Sequence, residues 1–230
     1  YYQIPRCFRD EDLRGDRQPE FTQLDMEMSF VTPAEVQEVV ESLISKIFSE
    51  ALGVQIELPL QRMSFADAML KYGSDAPDLR YDLLISDITE LTRGSQIPPL
   101  AQAEVVRAIK LPAPAKLSRK ESDGLFSELK ADFKVGFFGW ARREGDSLTG
   151  GIAKKLDPES FTSLIEALSL GEGDTLMLVA GAGEERIANA AGRMRMRAAE
   201  KAGILPMAKD VFALTWVEDF PMFGWDEDEE

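Results

Sequence analysis

A cluster of arginines and carboxylates near the start of the chain carries the clearest chemical signal. The connection from Asp10 to Pro19 places Arg14 and Arg17 among carboxylates and an amide. A guanidinium binds phosphate or carboxylate through two parallel hydrogen bonds, whereas carboxylates and amides bind ammonium groups and exocyclic amines. Phe21 follows the loop and offers a flat surface for a base. These residue types predict binding of a nucleotide and a small zwitterion, with a solvated charged loop as the alternative.

Two segments of alternating character flank this loop and must position its side chains. Between residues 20 and 30 the odd positions are polar except for Phe21, whereas the even positions from 24 onward are apolar. Residues 1–9 alternate in the same way. We therefore predict two adjacent antiparallel strands, with Arg9 beside Gln23 and Asp25 on the polar face.

The run FRDEDLRGDRQPEFTQLDMEMSF, residues 8–30, resembles motif 2 of the class II aminoacyl-tRNA synthetases. In its order of residues it is most similar to the bacterial-type aspartyl-tRNA synthetases. The resemblance implies an antiparallel sheet as the active-site floor, activation of L-aspartate by ATP to aspartyl-adenylate, and transfer of the aspartyl group to tRNA. Because the attacking carboxylate is already ionised, positioning and charge neutralisation are expected to carry the chemistry without a general base.

The resemblance also implies roles for individual residues. Arg9 is the expected catalytic residue, bridging the ATP α-phosphate and the aspartate carboxylate. The other implied contacts are Asp10, Glu11, Gln18 and Phe21 with ATP, Gln23 and Asp25 with aspartate, and Arg14 and Arg17 with the tRNA acceptor end. Mg²⁺ is expected to arrive with the triphosphate, and no residue of this chain is assigned as a metal ligand.

Composition narrows the classes of function. The chain has no histidine and a single cysteine, Cys7, which argues against histidine-dependent catalysis, zinc clusters and internal disulfides. A formal charge of -15 opposes broad attraction to nucleic acid, so we expect no DNA binding and only local, arginine-based contacts with tRNA. The sequence contains no apolar run long enough to predict a membrane-spanning segment. We expect a cytoplasmic protein, with an organelle, chloroplast or mitochondrion, as the alternative.

Two helices are predicted after the motif. Thr32 and Glu35 have capping-box spacing, and an apolar stripe that we expect to be core runs to about Leu52, where Gly53 ends the helix. A second, short helix ends at Gly73 and leads into SDAPDLR. The resembled family has lysine at the position of Ala76. In this loop Asp78 and Arg80 are expected to support the backbone by hydrogen bonding, with a direct substrate contact as the alternative.

A proline-rich stretch after residue 91 predicts a domain boundary. Beyond it, strands 105–111, 135–140 and 175–180 alternate with helices 119–132, 158–168 and 184–202. This unit resembles the GAD domain inserted into bacterial aspartyl-tRNA synthetases, notably at LSRKESDGL, GDTLMLVAG and GRMRMRAAEKAG. We predict an α/β (α+β) fold in which residues 1–91 belong to the catalytic domain and residues 92–203 form the GAD insertion. Residues 204–230 would hold a strand returning to the catalytic domain and an acidic, solvated end.

Three other patterns favour structural over functional interpretations. AGAGEER, residues 180–186, lacks the full phosphate-binding fingerprint and places two glutamates near the expected anion. The alternating arginines at 193, 195 and 197 do not share one helical face, so a solvated helix is preferred to an RNA-binding stripe. Trp140, Arg142 and Arg143 are interpreted as strand-end packing and surface charge rather than tRNA contacts.

Motif 1 with its dimer interface, motif 3 and the anticodon-binding domain are not found in these 230 residues. We therefore expect the parent protein to be a homodimeric aspartate-tRNA ligase and the isolated segment to be inactive. A non-catalytic, synthetase-derived scaffold protein is the first alternative. Another class II ligase, specific for asparagine or lysine, is the second.

Overall fold

A computed structural model describes residues 1–11, 15, 17–156, 158–205 and 211–223. The chain forms two compact units, residues 1–60 and residues 61–230, which are described separately. None of the helices in the described ranges combines the length and apolar character that a bilayer crossing requires. The mixed α/β class predicted from the sequence is confirmed.

Eleven strands and seven α-helices occur in the described ranges. The strands are β1 (Tyr2–Gln3), β2 (Arg6–Phe8), β3 (Glu20–Thr22), β4 (Asp25–Met26), β5 (Gln61–Ser64), β6 (Ile85–Asp87), β7 (Val105–Leu111), β8 (Phe137–Glu144), β9 (Ser147–Thr149), β10 (Thr175–Gly181) and β11 (Thr215–Glu218). The helices are α1 (Pro33–Leu52), α2 (Phe65–Tyr72), α3 (Thr89–Thr92), α4 (Pro98–Ala101), α5 (Arg119–Phe133), α6 (Pro158–Ala167) and α7 (Glu184–Lys201).

The first unit contains the predicted antiparallel hairpin. Strand β2 pairs with β3, and β1 pairs with β4, in one continuous register. The ribbon is interrupted at Pro5, which has no N–H to donate; its carbonyl oxygen accepts the Gln23 N–H at 3.1 Å. Beyond β2 the Arg9 N–H donates to the Pro19 carbonyl oxygen at 2.9 Å, which holds the two ends of the connecting loop together.

Helix α1 begins and ends as the sequence predicts. The Glu35 carboxylate accepts the Thr32 N–H at 2.7 Å, and Gly53 ends the helix in the left-handed conformation, φ +69°. The expectation that its apolar stripe is core is partly wrong, because Val36, Val39 and Ile47 are exposed. Helical periodicity identifies an apolar face but does not determine which surface covers it.

A five-stranded antiparallel sheet, in the order β6-β7-β10-β8-β9, forms the centre of the second unit. Side chains from α5 and α7 pack on one face, and side chains from α4 and α6 pack on the other together with Ile88, which precedes α3. The central strands β7 and β10 are therefore buried on both faces, which explains their almost continuous apolar sequences. Strand β6, residues 85–87, precedes the predicted domain boundary at residue 91 but pairs with β7 in this same sheet. The boundary itself stays a prediction.

Strand β11 lies within the segment predicted to return to the catalytic domain, and it pairs in parallel with β5. The acidic end, from residue 224 onward, lies outside the described residues. The predicted strand 135–140 begins two residues later and extends to Glu144, because Arg142 and Arg143 pair with β9 rather than ending the strand.

Helices α2 and α7 approach each other through a pair of glycines. A Cβ on Gly192 would meet the carbonyl oxygen of Gly73, and a Cβ on Gly73 would meet the backbone of Ala188 and Gly192. We expect Gly192→Ala to lower the free energy of unfolding by about 1–3 kcal/mol, as overpacking does. Urea denaturation measures this.

Gly124→Ala is the matched control, since Gly124 also lies within a helix but has no neighbouring atom within 4 Å of a Cβ. This change should instead raise stability by about 0.5–1 kcal/mol through helix propensity. Equal effects of the two substitutions would contradict the close helix approach.

Candidate functional site

One face of the hairpin carries a row of polar and aromatic contacts. The Gln3 amide donates to the Asp25 carboxylate at 2.9 Å, and the Cys7 thiol contacts the Gln23 amide oxygen at 3.2 Å. One step further along, the Arg9 guanidinium lies over the Phe21 ring, 5.3 Å from its centroid. Because directly paired residues of antiparallel strands share a face, this row follows from the register.

The row continues into the connecting loop through a pair of ion contacts. One Glu11 carboxylate oxygen lies 3.9 Å from Arg9 Nη1, and the other lies 3.2 Å from Arg17 Nη1. The two guanidiniums remain 58% and 52% exposed. Exposed pairs of this kind contribute little to stability. Both guanidiniums contact Glu11 and remain accessible to an anionic ligand.

The opposite face of the hairpin has different chemistry. Arg6 and Glu20 form an exposed salt bridge at 2.9 Å, among the exposed apolar side chains of Tyr2, Ile4 and Phe8. The predicted separation of a polar and an apolar face is confirmed. Because Arg6 lies on the opposite face of the strand that leads to Arg9, substitution of Arg6 is a control for substitution of Arg9.

The predicted proximity of Arg9 to Gln23 and Asp25 requires a correction. All three residues occupy one face, but Arg9 aligns with Pro19, whereas Gln3 is the direct neighbour of Asp25. At about 3.3 Å per residue, Asp25 lies several residues along the strand from Arg9. Phe21 and Gln23 separate the two, so the face is an extended row rather than a tight cluster.

The remaining predicted site residues belong to the loop. Asp10 and Gln18 are exposed near its two ends. Arg14 lies outside the described residues. The described residues bring no three histidine, cysteine, aspartate or glutamate side chains together in a geometry that could hold a metal ion.

The second unit contains a buried arginine whose environment differs from the one predicted. Arg195 was expected on a solvated helix, but it is only 2% exposed. Its guanidinium donates to the carbonyl oxygens of Asp78, Tyr81 and Leu83 at 2.7–2.9 Å, and lies 4.0 Å from the centroid of the Tyr81 ring. Burial lowers the pKa of Arg195, although arginine remains protonated.

The loop that Arg195 supports also has an internal ion pair. Arg80 donates to the Asp78 carboxylate through its backbone N–H, Nε and Nη2, at 2.7–3.0 Å. The side-chain hydrogen bonds from Arg80 lower the pKa of Asp78. The predicted role of Asp78 and Arg80 in supporting the loop is thus confirmed. Arg193 and Arg197 both pair with Glu128, at 3.1 and 3.0 Å.

The glycine-rich AGAGEER segment has its own acidic partners within the chain. The Gly183 N–H donates to the Glu104 carboxylate at 3.1 Å. Glu184 pairs with Arg107, a buried strand residue that also pairs with Asp87. The Gly183 N–H is thus already paired with a carboxylate, and the absence of phosphate binding at this segment stays a prediction.

Comparisons with known proteins indicate one family over nearly the whole chain, including the hairpin. A family model described as tRNA synthetases class II (D, K and N) matches residues 1–229. An aspartate–tRNA(Asp/Asn) ligase of Oleidesulfovibrio alaskensis is 41% identical over 98% of this chain and 36% of its own length. Aspartate–tRNA ligases of Lactococcus lactis subsp. cremoris and Streptococcus pneumoniae are each 42% identical over the whole chain and 38% of their own lengths.

The chain thus spans little more than a third of the length of these curated relatives. The family match nevertheless covers both units, including the hairpin face built around Arg9 and Phe21. The chain belongs to the class II tRNA synthetases of the D, K and N group.

Proposed function

We propose that the protein containing this chain is an aspartate-tRNA ligase. It activates L-aspartate with ATP, releases pyrophosphate and transfers the aspartyl group to tRNA. The observation that carries the proposal is the row on the hairpin, where an exposed guanidinium, an aromatic ring, an amide and a carboxylate follow one another on one face. These groups are of the types that bind a phosphate, a base and the polar ends of an amino acid.

Arg9 has the central role in this proposal. Its guanidinium is largely exposed and is held by Glu11 on one side and Phe21 on the other. From this position it binds the α-phosphate and the aspartate carboxylate, which neutralises charge as the carboxylate attacks phosphorus. The attacking oxygen forms a bond to phosphorus, and the bond to the pyrophosphate oxygen breaks.

The neighbouring residues hold the two substrates. Phe21 stacks on the adenine ring, with Glu11 and, at the loop ends, Asp10 and Gln18 as further ATP contacts. Gln23 and Asp25 bind the aspartate substrate, and Asp25 accepts its ammonium group. Because Asp25 lies six residues along the strand from Pro19, the neighbour of Arg9, these contacts require an extended Arg9 side chain that reaches along the strand toward Gln23. In the structure the Asp25 carboxylate is already oriented by the Gln3 amide.

The other partners follow from the same proposal. Arg17, together with Arg14, contacts the acceptor end of tRNA; the Arg17 guanidinium pairs with Glu11 at 3.2 Å and is half exposed. Mg²⁺ enters with ATP as a component of the substrate. We also propose that residues 92–203 are an inserted GAD domain, that the full protein is a homodimer, and that it works in the cytoplasm.

The test is aspartate-dependent exchange of pyrophosphate into ATP by the full-length protein, followed by charging of tRNA. We expect exchange with L-aspartate and at least about 100-fold less with L-asparagine or L-lysine, since unpaired polar groups penalise the wrong substrate. Preference for asparagine or lysine would reassign the protein within the family. Absence of exchange with all three would favour the non-catalytic scaffold.

A further inference from the structure

A second candidate binding region lies in the five-stranded sheet of the second unit. It is a cleft of about 380 Å³, within the usual range of small-ligand sites. The floor is one face of β8, β9 and β10, and the segment leading into α5 closes one side. The cleft includes the start of LSRKESDGL, a motif to which the proposed activity gives no role.

Two polar groups beneath this cleft lack hydrogen-bond partners. They are the Arg142 Nε and the Thr175 hydroxyl, and both residues line the cleft. Arg142 and Thr175 are directly paired across β8 and β10, and Thr149 pairs with Arg142 on the other side. Thr175 is only 6% exposed. A buried polar group without a partner costs about 1–3 kcal/mol, so such groups call for an external partner.

The charges around the cleft favour an anion. Lys116 and Arg142 line it, opposed by the exposed carboxylate of Glu144. Within the described residues, neither cation forms an ion pair. The first turn of α5 adds little, because Glu121 already accepts the Ser118 N–H at 2.8 Å. The two side-chain cations therefore supply the attraction.

Trp140 gives the cleft an aromatic wall. It lies two residues along β8 from Arg142, opposite Met177, and therefore on the same face as Arg142. The loop after β9 fixes the indole, since a Cβ on Gly150 would approach the Trp140 ring to 2.6 Å. An aromatic side chain beside cations is the arrangement that binds a base and its phosphate.

The geometry points to a nucleoside monophosphate as the ligand of this cleft. Its phosphate binds Arg142 and Lys116, the Thr175 hydroxyl donates to a phosphate oxygen, and the base packs against Trp140. The same chemical unit occurs as a free nucleotide and as one residue of an RNA strand. This assignment is independent of the proposed aspartate activation, which uses the hairpin.

The binding test uses the 230-residue chain, labelled with ¹⁵N, and follows the Trp140 indole N–H during titration. The probes are adenosine and uridine monophosphates, a short single-stranded oligoribonucleotide, and inorganic phosphate. We expect the Trp140 signal to shift with nucleotide at millimolar concentration or below. Arg142→Gln should weaken binding about tenfold or more, because a charge-assisted hydrogen bond is lost.

Arg119→Gln is the matched control, because it removes the same charge from a side chain that is 92% exposed and does not line the cleft. It should leave the affinity within about twofold, as expected for a screened surface charge. Thr175→Val separates binding from structure: it should weaken binding while leaving thermal stability unchanged or raised, because an unpaired hydroxyl is removed.

Equal affinity for mononucleotide and oligomer would assign a free nucleotide, and much tighter binding of the oligomer would assign an RNA residue. Three results would overturn the inference. These are no Trp140 shift with any nucleotide, equal binding by Arg142→Gln and Arg119→Gln, or inorganic phosphate binding as tightly as the nucleotides.

Discussion

Replacing Arg9 with glutamine in the full-length protein should lower kcat/KM for aspartate-dependent pyrophosphate exchange by about 100- to 1,000-fold, the range seen when one charge-stabilising donor is removed. The guanidinium is the group in the row that can neutralise charge at phosphorus while orienting the attacking carboxylate. Arg9→Lys should recover only a small fraction of the loss, since a lysine ammonium cannot make two parallel hydrogen bonds.

Arg6→Gln is the control for this experiment. Arg6 lies three residues away on the opposite face, paired with Glu20 in an exposed salt bridge. Its loss removes the same charge from the same strand, and we expect an effect below about threefold, because exposed pairs are weak. If Arg6→Gln impaired exchange as severely as Arg9→Gln, or if both variants remained active, the assignment of the polar face as the active site would be wrong.

The largest effect on stability is expected at Arg195. Arg195→Met keeps much of the side-chain volume but leaves the carbonyl oxygens of Asp78, Tyr81 and Leu83 without their donor. It also removes the cation stacked on Tyr81. We expect the free energy of unfolding to fall by about 3–5 kcal/mol, as when one member of a buried charged network is removed. Urea denaturation of the 230-residue chain measures this directly.

Arg193→Met provides the comparison on the same helix. Arg193 is 36% exposed and shares the Glu128 carboxylate with Arg197. Glu128 keeps one cationic partner in this variant, so a loss below about 1 kcal/mol is expected. Similar midpoints for the two variants would mean that Arg195 does not organise the 78–83 loop.

The terminal signals of the helices were readable from the sequence because they are local. The capping box of Thr32 and Glu35 and the left-handed Gly53 each depend on residues within one turn of the helix end. The antiparallel pairing of the hairpin was also predictable, since period-two alternation on both sides of a polar loop leaves few other arrangements. The candidate site residues followed from the order of residue types in that same short segment.

Long-range environments were not readable in this way. The arginines at 193, 195 and 197 look alike in the sequence, yet only Arg195 reaches the 78–83 carbonyl groups, more than a hundred residues away. Likewise, periodicity assigned the α1 stripe to a core, but the fold leaves Val36 and Ile47 exposed. The position of Pro5 in the hairpin separates β1 from β2, a detail that alternation alone did not indicate.

Within each strand, the order of residues was enough to establish which side chains share a face, because side-chain direction alternates along a strand. Which face of one strand joins which face of the other was decided by the register of pairing. The spacing of those side chains depended on the folded chain, since strand pairing aligns Arg9 with Pro19 and Asp25 with Gln3. Which charged side chain is buried was also decided by the tertiary structure, because a partner distant in sequence must supply the hydrogen bonds that a buried guanidinium requires.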